Sequence, residues 1–158
     1  MFTRRTPRQQ QSLRYHGLSV WVLLLAMLLG PALCLSGTTA MPSRALLIVP
    51  KSRLAFIACE GNDRLLVLDL EAKRIVANLG VGGEPDVLGY DENLGQLYVA
   101  SESGVLSVFK VTATDVTKVA EGFVGANAHS LAVDPASHEI YLPLKNADHR
   151  PAMRVMRP

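Results

Sequence analysis

The sequence predicts an all-β fold built from repeated four-stranded units behind an N-terminal export segment. Three observations carry that prediction. Short apolar runs, many alternating with a period of two, sit between Gly, Pro and Asp turns throughout the second half of the chain. A pattern of residues recurs there at an interval of 43. No helix-length apolar period occurs after residue 45. A chain of 158 residues that is 49% hydrophobic and 19% charged suits one modest globular domain and excludes a disordered tail, a coiled coil or a collagen-like rod.

Residues 1–40 carry the marks of a signal peptide. Arg4, Arg5, Arg8 and Arg14 come first, then the uninterrupted apolar run Val20–Leu29, then the helix-breaking Gly30-Pro31 and the small residues Ser36–Ala40. Ten apolar residues match the hydrophobic segment of such a leader and fall short of the roughly 20 that a spanning helix needs. Cleavage after Ala40 is expected, which makes residues 41–158 the mature domain and the compartment periplasmic or secreted. The alternative is an uncleaved membrane anchor over residues 18–35, with contact to the membrane through that segment alone. Thr6-Pro7 stands where a twin-arginine signal wants an apolar pair, and the bulky Leu33 precedes Cys34 where lipid attachment wants a small residue.

The formal charge of +2 belongs to that leader. Beyond residue 40 there are 12 basic and 14 acidic residues, so a nucleic-acid footprint is not expected. With the leader removed, Cys59 is the one cysteine left, in the apolar stretch Leu54–Cys59, and reads as a small buried hydrophobe. There is no Cys-x-x-Cys-His for covalent haem attachment.

The repeat defines the elements in order. Gly95–Ala100 and His138–Pro143 share a pattern with Arg53–Ala58, and Pro85–Asp91 matches Ala128–Asp134. A degraded copy at Ala45–Pro50 puts Val49 where the aspartate stands and shortens the following turn by one residue. Gly61 and Gly104 pair at the same interval. The turn and strand signals predict strands over 54–58, 64–70, 74–79, 86–90, 96–101, 105–111, 116–123, 130–133, 140–143 and 152–156. Four strands in 43 residues is the arithmetic of a β-propeller blade. The fold class is thus a partial β-propeller of about two and a half four-stranded blades. A sandwich or an up-and-down barrel would not require a long fixed repeat.

Leu97-Tyr98-Val99-Ala100 with Gly104 after it, Leu68-Asp69-Leu70 one blade earlier, and Val81–Pro85 leading into the next blade resemble the YVTN-type β-propeller family. That family includes exported surface-layer-like and nitrite-reductase-haem-domain-like propellers. Ala58–Asp63 and the tail Arg154–Pro158 share the resemblance, which covers roughly residues 45–158 and only the C-terminal part of the family's usual seven or so blades. It implies blade geometry more than an activity, because such repeats host several functions.

Asp86 and His129 fall at equivalent repeat positions, at the start of what should be each blade's innermost strand. In a complete propeller those positions line one mouth of the channel, which makes the pair the candidate ligand-binding residues. Asp91 and Asp134 read as turn-capping residues that accept backbone N–H bonds. His129-Ser130 beside Asp134 does not make a triad, since neighbours on a strand face opposite ways and no Gly-x-Ser-x-Gly elbow exists. His129, His138, Asp148 and His149 lack the spacing of a metal motif, and the histidines read as exposed loop residues. The glycines at 80, 82 and 83 precede a strand and are turn residues. No catalytic residue, metal or cofactor is expected.

Two functions follow from this reading. The favoured one is a non-catalytic exported propeller-repeat protein that binds or scaffolds. The alternative is a lactonase-like or quinoprotein-dehydrogenase-like propeller enzyme, as the resemblance allows, marked by clustered carboxylate and histidine groups at the mouth. A closed propeller needs roughly four to eight blades. Two outward faces, bearing residues such as Leu68, Val99, Val108 and Leu131, are therefore expected to seek self-association or a complementary propeller fragment.

Overall fold

The computed structural model describes residues 43–147 and 149–158; the leader, the cleavage site and Asp148 lie outside the described residues. Among the described residues eleven strands form three antiparallel sheets. The first sheet holds β1 (Ser43–Val49), β2 (Leu54–Cys59), β3 (Arg64–Asp69) and β4 (Arg74–Gly80) in chain order. The second repeats that order with β5 (Pro85–Asp91), β6 (Gln96–Ser101), β7 (Val105–Val111) and β8 (Val116–Phe123). A third, of three strands, is formed by β9 (Ala132–Asp134), β10 (Glu139–Ala147) and β11 (Arg150–Met156). These are two complete blades and an incomplete one, stacked through their faces as in part of a β-propeller. β1, β5 and β9 lie side by side as the inner strands.

The predicted strands recur within a few residues of their expected ends, with three differences. The degraded repeat copy at 45–50 is a full seven-residue strand, β1, because its Leu46, Leu47 and Ile48 pair with Ile57, Phe56 and Ala55. β9 begins at Ala132, which leaves His129–Leu131 as irregular chain ahead of it. β10 runs on to Ala147, held by a ladder to β11 that carries a register irregularity between Leu144 and Ala147.

Packing explains the order of the sheets. Leu54, Phe56, Leu65 and Val67 of the first sheet interlock with Leu97, Val99, Phe109 and Val111 of the second. On the opposite face of the second sheet, Tyr98, Ala100 and Leu106 meet Ile140, Leu142 and Leu144 of the third, with Val108 and Leu131 packed alongside. The two faces of β6 thus serve two different interfaces, as a strand's period of two requires. Val99, Val108 and Leu131 were expected on outward faces; they lie instead between or against packed blades. Leu68 does sit on the far face of the first sheet, with Ala55, Ile57, Cys59 and Leu66, and it is buried. Cys59 is fully buried there and carries no free thiol, which corrects its reading as an unpaired small hydrophobe.

The repeat interval also needs correction between the first two sheets. Val49 pairs with Leu54, and Asp91 with Gln96, so the two turns have equal length. Phe56 therefore corresponds to Tyr98 at an interval of 42, each facing the next blade. The 43-residue pairing of Leu54 with Leu97 matches residues of opposite faces, the result of a one-residue slip on a strand. Between the second and third sheets, Leu97 and Ile140 both face the preceding blade, and the interval of 43 holds.

The same turn position in each blade adopts a left-handed backbone. It is filled by Arg53 (φ 56°), Gly95 (φ 58°) and His138 (φ 61°). At Gly95 a β-carbon would stand 2.9 Å from the Val111 carbonyl oxygen, so glycine fits both the φ and the space. Gly104 (φ 84°) does the same work ahead of β7, whereas its supposed partner Gly61 does not; Asp63 (φ 56°) holds that place ahead of β3.

Candidate functional site

Asp86 and His129 come together. The imidazole Nδ1 of His129 lies 3.0 Å from Asp86 Oδ2, a hydrogen bond that joins the second blade to the chain entering the third. A carboxylate accepts, so this geometry places a ring hydrogen on Nδ1. Both side chains are half-buried.

Local structure aims the carboxylate. Pro85 pairs with Ser101 and Val87 with Ala100, so Asp86 is the extra residue of a β-bulge at the start of β5. A bulge releases one residue from the ladder and turns its side chain away from the sheet's regular alternation. The first blade repeats the device: Ser43 pairs with Cys59 and Ala45 with Ala58, with Arg44 as the bulged residue.

A third residue completes the site. Glu102 follows β6 at the same end of the sheet, fixed by the hydrogen bond from its amide to the Glu84 carbonyl at 2.9 Å. Asp86, Glu102 and His129 each offer one donor atom within 4.8 Å of the others. Sequence reasoning missed Glu102. The signal that could have found it is the bulge-and-turn pair of the first blade, where Arg44 and Glu60 occupy the matching places.

That matching pair has the opposite electrostatics. Arg44 donates through Nη2 to Glu60 Oε1 at 2.7 Å and through Nε to Oε2. The hydrogen bond from Arg44 holds the Glu60 carboxyl below its ordinary range. In the second blade an aspartate stands where the arginine would be, so two carboxylates share the corner with a histidine. Among the described residues neither Asp86 nor Glu102 is ion-paired to a lysine or arginine.

The remaining polar residues do other work. Asp91 Oδ1 accepts from the amides of Asn93 (2.9 Å) and Leu94 (3.0 Å), the turn-capping role expected of it. Asp134 likewise accepts from the Ala136 amide and the Ser137 hydroxyl. His138, expected as an exposed loop residue, instead reaches Asp91 Oδ2 at 2.7 Å. His149 is exposed in the turn before β11 and is not one of the three clustered residues. At the opposite end of the sheets, a groove of about 250 Å³ runs between the turns of the first two blades, lined by Val49, Tyr90, Gly95 and Val111 among others.

Neither a protein-family model nor a curated protein sequence matches the chain. Solved structures do. Hydrazine synthase from Kuenenia stuttgartiensis superposes with a TM-score of 0.64 at 18% identity, over 78% of this chain and 36% of that one. The β-propeller domain of Cps50 (Swd1) from Myceliophteria thermophila gives 0.57 at 13% identity, over 72% and 39%. The dihydro-heme d1 dehydrogenase NirN gives 0.56 at 18% identity, over 72% and 27%. At such identities the likeness is one of fold, and it is to propellers. This chain spans about a third of the length of each.

Proposed function

We propose that this chain is an exported, non-catalytic propeller-repeat protein of the YVTN type, whose work is to bind another β-sheet structure. One observation supports the reading most directly. The face of the third sheet turned away from the second blade carries Tyr141 and Pro143 beside their ladder partners Val155 and Met153. Met153 is 57% exposed and Val155 49% exposed. Among the described residues the same sheet holds three strands, with β11 at its edge. An apolar blade face is built to receive a further blade, since each blade is stabilised by its neighbours. The occupant is a propeller blade from another chain, with a second copy as the simplest source.

Sedimentation of the full chain across a range of concentrations tests this. Concentration-dependent association that Val155→Lys and Met153→Glu abolish is the expected result. A monomer at every concentration that also ignores a complementary propeller fragment would overturn it. Export is tested separately by N-terminal sequencing of exported material, which should begin near Met41.

A second reading, a lactonase-like or quinoprotein-dehydrogenase-like enzyme, draws on the convergence of Asp86, Glu102 and His129 at one end of the sheets. Turnover of a lactone or of an alcohol that is lost in Glu102→Gln would favour it over the binding role.

A further inference from the structure

We infer that Asp86, Glu102 and His129 form a binding site for a divalent first-row transition-metal ion such as Zn²⁺. This stands apart from the blade-docking role, which uses the far face of the third sheet. The donor set is one imidazole and two carboxylates, a combination suited to zinc and its neighbours and less to the all-oxygen preference of calcium or magnesium. One donor atom of each residue already lies within 4.8 Å of the others. Ligands around Zn²⁺ sit about 2.0–2.2 Å from it, hence roughly 3.5 Å from one another, so small side-chain rotations close the site.

The first blade shows what the site lacks. In its matching places the chain supplies its own cation, Arg44, to the carboxylate of Glu60. The second blade keeps the bulge and the turn carboxylate but replaces the cation with Asp86. Arg44 does feel Asp86 and Glu102 across the gap, yet its Nε and Nη2 are engaged with Glu60. A metal ion would supply the positive charge that the repeat has lost at this corner. His129, entering from the next blade, adds a neutral donor and would tie the two blades together through the ion. Three protein ligands leave further coordination positions to water or to an anionic ligand.

Titration of the tag-free full chain with Zn²⁺ in a calorimeter, with Co²⁺ as a spectroscopic substitute, tests the site. Saturable binding of one ion per chain is expected, with d–d absorption from bound Co²⁺. Glu102→Gln, at a half-buried turn, should weaken binding by roughly tenfold or more, as should His129→Gln. His149→Gln should leave binding unchanged. Absence of saturable binding overturns the inference, and so does binding that survives in both Glu102→Gln and His129→Gln. Neither outcome bears on the association measured by sedimentation.

Discussion

Asp91 and His138 lock the second blade to the third: the fully buried carboxylate of Asp91 meets His138 Nδ1 at 2.7 Å, across the interface between two blades. The same aspartate also caps its own turn, so one side chain serves three donors. In the first blade the corresponding residue is Val49, and opposite it stands Gly95 at the place of His138. One interface is thus closed by a buried polar lock, whereas the other leaves a groove bordered by the exposed Lys51–Glu92 ion pair.

Removing the lock should destabilise the protein. Asp91→Ala leaves two turn amides and a histidine without their acceptor, each costing about 1–3 kcal/mol when buried and less where water reaches it. The expected loss is about 2–4 kcal/mol in urea unfolding. Asp91→Asn keeps one acceptor oxygen and should lose less. A loss below about 0.5 kcal/mol in the alanine variant would mean the contact is incidental.

Acid should undo the same contact. Burial pushes the Asp91 carboxyl up, but hydrogen bonds from Leu94, His138 and Asn93 outweigh it and hold the group below its ordinary value of 3.8. A carboxyl depressed in the folded state contributes stability that is present in full above the unfolded value. It is lost as pH falls through the lower folded-state value. Asp134 and Glu139 act in the same direction through the hydroxyls of Ser137 and Tyr141. Stability should therefore be flat above about pH 5 and fall below pH 4. The gap between wild type and Asp91→Asn should narrow over that fall; parallel curves would count against the assignment.

Gly104 should tolerate no side chain. Its φ is 84°, and a β-carbon would stand 2.4 Å from the Gly125 carbonyl oxygen, a backbone atom that cannot swing aside. Gly104→Ala should cost more than about 1 kcal/mol. Gly122 meets nothing within 4 Å, so Gly122→Ala is the control and should be near neutral or stabilising. Thermal unfolding of the two variants checks the contrast.

Phe56 is the test of blade stacking. It is fully buried between the first and second sheets, so Phe56→Ala should cost about 3–5 kcal/mol. Val119, on β8, is 54% exposed, and Val119→Ala should stay within about 0.5 kcal/mol. Similar losses at both positions would contradict the packing described.

The sequence alone determined the strands and their repetition. Alternation in Val105–Val111 and the aromatic and β-branched residues of Gln96–Ser101 are local signals, and each folded as a strand where the pattern put it. Turn capping by Asp91 and Asp134 was equally legible, because an aspartate acts on amides two or three residues away. Which face each residue uses was decided by the tertiary structure. A slip of one residue at Leu54 leaves the apolar pattern of β2 almost unchanged, since all six of its residues are buried, yet it exchanges the two interfaces. Glu102 and the Asp91–His138 lock depend on segments 16 to 47 residues apart meeting at blade ends. No local period records such meetings; they follow from a bulge at Asp86 and from blades stacking face to face.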